Sequence, residues 1–246
     1  MKIFILLLAS ALFFSCTSKK AGEKEPQPSD NNLNKTIAAV KTIHDKILGS
    51  FVGVFGDNKI TLLISRAEGD SIAGRSVVGG NDRPFTGTVS LKDGVYTVNA
   101  SEPGDDKYDG MFSFTIKETN PDIVTGSWKP INASATPDKI YTLQRREFKY
   151  RIDVGQYPEA SQRLLKEADV ENLTKSELQV MRNEIFARHG YCFKKKDMRQ
   201  MFENLDWYVP DNVDIKDLLT DIEKKNILLI KRYEQYAEEY GDDFGR

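Results

Sequence analysis

The stretch that decides the fold runs from Leu173 to Pro210 and reads LTKSELQVMRNEIFARHGYCFKKKDMRQMFENLDWYVP. It opens with a helix capping box, in which Thr174 caps the first turn and Glu177 binds back to the amide of the cap residue. Apolar residues then recur at helical spacing: Leu178, Met181 and Ile185. Gly190 supplies the left-handed conformation that ends a helix. The sequence therefore predicts a helix with one buried face that ends at Gly190.

A second helical pattern follows Gly190. Its apolar residues at helical spacing are Met198, Met201, Phe202 and Leu205, and the aromatic residues Trp207 and Tyr208 follow them. We expect the two helices to fold back on each other. The run Lys194-Lys195-Lys196 between the two patterns is interpreted as a solvated loop, because it is too short to bind nucleic acid.

Three segments of this stretch carry a resemblance to a known family. Arg182-Asn183-Glu184-Ile185, Phe186-Ala187-Arg188-His189-Gly190 and Trp207-Tyr208-Val209-Pro210 together resemble the YARHG domain, with Phe186 in place of the first tyrosine of that family. The similarity extends from about Tyr157 to about Tyr236. It implies a small helical domain of exported bacterial proteins, often lipoproteins, with no established activity.

The segments around this stretch complete a predicted all-α domain of about four helices over residues 149–246. Pro158 lies near a helix start, and we expect Leu164 and Leu165 inside that helix. After Pro210, residues 214–219 are expected to form a turn of helix. Thr220 and Glu223 then make a second capping box, which opens a helix through Tyr240.

Residues 35–148 have the pattern of an all-β domain. After a short helix or strand lead-in, about eight β-rich runs follow at intervals of about ten residues: Phe51–Phe55, Ile60–Ser65, Ile72–Val77, Phe85–Leu91, Val95–Ala100, Met111–Ile116, Ile123–Trp128 and Ile140–Leu143. This spacing favours an antiparallel meander, closed as a small barrel or folded as a sandwich. A recurring apolar-x-Gly pattern resembles lipocalin-like and avidin-like barrels, whose interior binds a small ligand. The sequence leaves open whether the interior is filled.

The N-terminus has the pattern of a leader, predicted to span residues 1–15. Lys2 precedes an apolar run of about 12 residues, well short of the roughly 20 that a membrane-spanning helix needs. The segment Phe13-Phe14-Ser15-Cys16 resembles a lipoprotein signal box, which implies an acylated Cys16; ordinary secretion with a free Cys16 is the alternative. Residues 16–34 are polar and are predicted to tether the chain to a bacterial membrane, with the outer membrane favoured.

The composition excludes some functions. A net charge of −2 gives no electrostatic footprint for nucleic acid. HExxH, Walker and GxGxxG motifs are absent, so no metal and no cofactor are predicted. The acidic loop Glu102–Gly110 does not fit a calcium-binding EF-hand loop and is interpreted as a solvated turn. Cys192 is expected to be a buried thiol.

The residues leave three functions open. We expect a non-enzymatic protein that binds a cell-wall glycan or an envelope protein through a groove of Arg182, Arg188, His189, Trp207 and Tyr208. In this interpretation Asn183, Glu184 and Gly190 have structural roles, and a purely structural role for the whole set is the alternative. The second function is a barrel that binds a small ligand or inhibits a hydrolase. The third is a hydrolase, although Glu184 and His189 lie about 140° apart around a helix and do not face each other.

Overall fold

Eight antiparallel strands close into a barrel in the computed structural model, which describes residues 42–105, 109–132 and 137–240. The strands are β1 (Gly49–Phe55), β2 (Asn58–Glu68), β3 (Ser71–Val78), β4 (Asn81–Lys92), β5 (Val95–Ser101), β6 (Gly110–Lys117), β7 (Asn120–Pro130) and β8 (Lys139–Arg145). Each strand pairs with the next one along the chain, and β1 pairs with β8. The predicted eight-stranded meander is confirmed, and it forms a barrel instead of a sandwich.

The middle of the barrel is filled by side chains. Burial alternates along the strands, most regularly in β6, because successive side chains point to opposite faces of a sheet. Large side chains of this core that are almost fully buried include Phe51, Leu62, Ile64, Ile72, Phe85, Phe112 and Ile116. A 3-10 turn over Asp45–Ile47 closes the end at which β1 begins, and Ile47 joins the barrel core. This turn is the described part of the predicted lead-in; residues 35–41 lie outside the described ranges.

Two glycines of the apolar-x-Gly pattern lie where neighbouring strands approach closely. A β-carbon at Gly74 would lie 2.0 Å from the carbonyl oxygen of Leu63, and one at Gly126 would lie 2.3 Å from that of Ser113. Gly74 is also adjacent to a register shift between β2 and β3. Bulges and glycines allow the sharp bends that close a barrel.

The helical region contains α1 (Glu159–Gln162), α2 (Lys175–Arg188), α3 (Lys196–Phe202) and α4 (Asp221–Tyr240). α2 packs against α4. Both ends of α2 form as predicted. The Thr174 side chain accepts a hydrogen bond from the amide of Glu177, and Gly190 has a φ of 68°. The amides of Gly190 and Tyr191 bind the carbonyls of Ala187 and Phe186, which is the hydrogen-bond pattern of a Schellman motif.

The helix predicted around Leu164 and Leu165 is shorter than expected. α1 ends at Gln162, and Arg163 is extended, so both leucines lie outside the helix. The reason is the side chain of Asn226 on α4. Its Oδ1 accepts a hydrogen bond from the amide of Leu165, and its Nδ2 donates to the carbonyl of Arg163, so the chain gains tertiary hydrogen bonds in place of helical ones. Residues 216–218 form a turn, as expected for the segment after Pro210.

The segment that includes the Trp207–Pro210 turn lies against the barrel. The amide of Lys59 on β2 donates to Oε2 of Glu203 at 2.9 Å, and the hydroxyl of Thr61 donates to the carbonyl of Pro210. The amide of Gly80 donates to Sγ of Cys192 at 3.0 Å. The predicted burial of Cys192 is confirmed, and this burial raises the pKa of the thiol to about 11. The described residues belong to one compact unit, and the division at residue 148 stays a prediction.

Candidate functional site

Arg188 lies at the centre of a buried polar network. Its guanidinium donates to the carbonyls of Val154 at 2.9 Å and Tyr157 at 2.8 Å. It also donates to Oγ of Ser161 at 3.0 Å and to Oε2 of Glu184 at 2.9 Å. Arg188 is 1% exposed, so these hydrogen bonds replace water on every side of the charge.

The carboxylate of Glu184 fastens the segment that precedes α1. Its Oε1 accepts from the amide of Gln156 at 2.7 Å, and its Oε2 accepts from the amide of Tyr157 at 2.8 Å. Gly155, with a φ of 95°, makes this approach possible, because a β-carbon there would lie 2.6 Å from the carboxylate. The Glu184–Arg188 ion pair, four residues apart on α2, therefore binds residues 154–157 to the helix.

His189 extends the network to α4. Its Nε2 lies 2.7 Å from Oε2 of Glu223, whose Oε1 accepts from Ser161 at 2.7 Å and Tyr150 at 3.0 Å. The ring of Tyr150 stacks on His189 with centroids 4.4 Å apart. Burial alone would raise the pKa of Glu223, but hydrogen bonds from His189, Thr220 and Ser161 outweigh it and lower that pKa.

These contacts give the network a structural role. The hydroxyl of Ser161 donates to Glu223, and His189 is directed at the same carboxylate. Arg188, His189 and Glu223 are 1%, 4% and 0% exposed, so their polar atoms bind protein groups, and Ser161 links Arg188 to Glu223. The network joins four parts of the chain: the approach to α1, α1 itself, the end of α2 and the start of α4.

The geometry agrees with the comparison to protein families, in which residues 155–235 match the model of the YARHG domain. This part of the chain is a YARHG domain. The match covers the helix end with Arg188, His189 and Gly190 together with Glu223. No curated protein and no solved structure matches the chain. The YARHG domain indicates an extracellular or envelope protein. In the described ranges, no helix has both the length and the apolar character to span a bilayer.

The structure separates the five residues that the sequence grouped as a binding groove. Arg188, His189 and Tyr208 are buried, and the hydroxyl of Tyr208 donates to the carbonyl of Tyr191. Arg182 is partly exposed and pairs with Glu234 on α4 at 2.9 Å. Trp207 lies beside a different hollow of the YARHG domain, next to Phe202. The expected groove of these five side chains does not form, because three of them pack inside the domain.

The remaining residues of the motif lie on α2 or directly after it. Asn183 is buried on α2 and donates to the carbonyl of Gln179. Glu184 binds Arg188, and Gly190 ends the helix. Sequence reasoning recognised Glu223 as a capping residue. It missed the second role of Glu223 as the partner of His189, because no local pattern joins residues that lie 34 positions apart.

A different groove opens on the surface of the YARHG domain. It has a volume of about 770 Å³ and lies between α2, the start of α3, residues 213–219 and α4. Its aromatic side chains are Phe186, Tyr191 and Phe193. Its charged side chains are Arg182, Lys194, Lys195, Lys216, Lys231, Asp197 and Asp214. Cations therefore outnumber carboxylates in this groove, which we call the basic groove.

Three cations of the basic groove form no ion pair within the part of the chain that the structure describes. Arg182 pairs with Glu234, and Lys216 lies 3.8 Å from Asp214. Lys194, Lys195 and Lys231 make no ion pair with any residue in the described ranges. The lysine run that the sequence assigned to a solvated loop therefore contributes two side chains to an aromatic-lined groove. The lysine run is visible in the sequence, but only the fold brings Lys231 into the same groove.

The acidic loop after β5 is attached to the barrel at both ends. The carboxylate of Glu102 accepts from Ser76 Oγ at 2.6 Å, from the amide of Gly110 at 3.1 Å and from Trp128 Nε1 at 3.2 Å. Residues 106–108 of the predicted solvated turn lie outside the described ranges. Among described residues, no group of three or more His, Cys, Asp and Glu side chains has the arrangement of a metal site.

Proposed function

We propose that the protein is a non-enzymatic, lipid-anchored protein of the bacterial cell envelope that binds cell-wall material through the basic groove. The observation that supports this function is the combination of three aromatic rings with Lys194, Lys195 and Lys231, whose charges have no partner within the described chain. The YARHG domain supports an envelope location. Cys16, in the predicted leader junction, is the proposed acylation site.

The chemistry of the groove fits an anionic polymer. Cell-wall peptidoglycan carries carboxylates along its peptides, and a lysine ammonium makes strong charge-assisted hydrogen bonds to such groups. Aromatic side chains supply large contact areas at low entropic cost, and tyrosine is enriched among residues that dominate binding energy. A groove of about 770 Å³ has the size of a site for a small ligand or a short polymer segment.

The anchor and the tether give this binding a location. An acylated Cys16 would hold the chain at a membrane, and several acyl chains together anchor a protein stably. The polar tether of residues 16–34 would span roughly 20 to 25 Å as a random coil. We propose that it allows the YARHG domain to reach cell-wall material while the N-terminus stays in the bilayer, with the outer membrane favoured.

Sedimentation with isolated peptidoglycan tests the binding function. The chain from Thr17 onward, which omits the predicted leader and the acylation site, is mixed with insoluble peptidoglycan and the bound fraction is measured. We expect retention by the wild type, and at least about tenfold weaker binding by the double variant Lys195→Gln/Lys231→Gln, because two charge-assisted contacts are lost.

A matched control uses two lysines of α4, the helix that carries Lys231. Lys224 and Lys225 are exposed on α4 but do not line the basic groove, so Lys224→Gln/Lys225→Gln removes the same charge. This control should bind like the wild type. Absence of retention by the wild type would refute cell-wall binding. Equal weakening of binding in both double variants would mean that the net charge of the protein, and not the basic groove, is responsible for the binding. Arg188→Ala is unsuitable for this test, because it would remove a buried structural residue.

A further inference from the structure

The end of the barrel opposite the Asp45–Ile47 turn contains a pocket of about 520 Å³. Its apolar walls are Phe55, Ile60, Val78, Phe112, Trp128 and Pro130. Polar side chains reach it from the barrel and from the YARHG domain: Asn58, Asn81, Arg83, Glu102, Lys139 and Arg199. We call this hollow the barrel-mouth pocket. It is separate from the basic groove, and the inference below does not depend on the proposed function.

Lys139 is a partly buried cation of this pocket that forms no ion pair with a described residue. Its Nζ lies 4.7 Å from the ring centroid of Phe55 and 5.0 Å from that of Trp128. It makes no hydrogen bond or ion pair with any residue in the described ranges. Burial lowers the pKa of Lys139, and the carboxylates of Asp57 and Glu102 offset this only in part, so the protein environment stabilises its charge less well than water does. Ring faces attract a cation, but an anion would compensate it more fully.

The aromatic wall of the pocket is held in place before any ligand binds. Nε1 of Trp128 donates to the buried carboxylate of Glu102 at 3.2 Å. The indole lies directly over Gly110, where a β-carbon would be 2.2 Å from the ring. Phe55 packs edge-on against Trp128 with centroids 5.7 Å apart. Side chains fixed in this way lose little further conformational freedom on binding.

A second polar group lies deeper on the same strand. Lys139 and Tyr141 both lie on the inward face of β8, while Ile140 between them is exposed. The hydroxyl of Tyr141 is buried and has no hydrogen-bond partner among the described residues. An unsatisfied buried hydroxyl is unfavourable, but Tyr141 itself does not line the pocket. The inward face of β8 thus presents one charged and one neutral donor.

We propose that the barrel-mouth pocket binds a small aromatic acid. The ring system packs against Phe55, Phe112 and Trp128, and the acidic group pairs with the ammonium of Lys139. Arg199, from α3 of the YARHG domain, and Arg83 add two further cations to the lining, so the site is completed by both parts of the chain. The pocket volume lies within the range of small-molecule sites.

A pair of fluorescent dyes tests this site in the chain from Thr17 onward. Anilinonaphthalene sulfonate carries an acidic group on an aromatic body, and N-phenyl-1-naphthylamine is its neutral counterpart. We expect Lys139→Met to weaken binding of the sulfonate at least about tenfold and to change binding of the neutral dye less than about twofold, because one charge-assisted contact is lost. Lys129→Met, on the outward face of β7, is the matched control and should change neither.

The location of the dye is checked with the basic-groove variant. Lys195→Gln/Lys231→Gln should bind the sulfonate like the wild type. Weakening in that variant but not in Lys139→Met would overturn the proposal, and so would equal losses for both dyes in Lys139→Met. If Lys139→Met does not fold, Val78→Phe decides the question: it fills the pocket and should abolish binding of both dyes, whereas unchanged binding would refute the site.

Discussion

The Nε2 atom of His189 lies 2.7 Å from Oε2 of Glu223, although 34 residues separate the two along the chain. His189 follows the last residue of α2, and Glu223 belongs to the first turn of α4. The same carboxylate also accepts from Thr220, Ser161 and Tyr150. The side chain of Glu223 thus caps α4 and joins it to the end of α2. This contact gives the histidine of the YARHG motif a structural role.

The pH dependence of stability should reveal the Glu223 network. The pKa of this carboxyl is lower in the folded state than its ordinary value of 4.5. Between these two pKa values the unfolded chain binds more protons, so the stabilisation is complete above pH 4.5 and decreases as the pH falls below it. We expect Glu223→Gln to be less stable than the wild type at pH 7 and to lose less stability between pH 4.5 and 3. Urea unfolding at several pH values measures this, and parallel curves would contradict it.

Replacement of Arg188 should destabilise the YARHG domain strongly. Arg188→Met leaves the carboxylate of Glu184 buried without its cation, and losing one partner of a buried pair costs about 3 to 5 kcal/mol. Arg151→Met is the control, because Arg151 and Asp153 form an exposed pair whose loss should change the stability little. Free energies of unfolding in urea distinguish the two. Similar losses would mean that the buried network contributes little.

Glu203, a residue of the YARHG domain that binds Lys59 of the barrel, should have the opposite effect on the pH dependence of stability. Burial raises its pKa to about 7. Between pH 4.5 and 7 the folded state binds more protons than the unfolded state, so stability falls as the pH rises, by up to about 3 kcal/mol. Glu203→Gln can still accept from the amide of Lys59 and should lack this fall. Its stability relative to the wild type should therefore be higher at pH 8 than at pH 5; a constant difference would be incompatible with the raised pKa.

Two glycines with similar φ angles allow the cost of backbone strain to be distinguished from the cost of a steric contact. Gly190 has a φ of 68° and Gly79 a φ of 58°. Alanine at either position should cost about 1 to 2 kcal/mol for the left-handed conformation. At Gly190 the new β-carbon would also lie 2.8 Å from the ring of Phe148, whereas the space at Gly79 is open. Gly190→Ala should therefore have the lower thermal midpoint, and equal midpoints would argue against close packing at the helix end.

The local elements could be predicted from the sequence. Thr174 with Glu177 and Thr220 with Glu223 mark helix starts, Gly190 marks a helix end, and alternating side chains mark the strands of the barrel. These signals are reliable because the atoms involved lie within a few residues of one another. The same local reasoning failed at Leu165, where Asn226 on a distant helix supplies the competing hydrogen bond.

The sequence by itself determined the antiparallel eight-stranded pattern, the helical region and the membership of residues 155–235 in the YARHG domain. The tertiary structure alone decided which polar residues face solvent. It buried Arg188 and His189, which the sequence had grouped in a binding surface, and placed Lys231 and Lys139, which form no ion pair with a described residue, in two separate hollows. The physical reason is that burial and charge compensation depend on segments far apart in the chain, and no local pattern records which of them will meet.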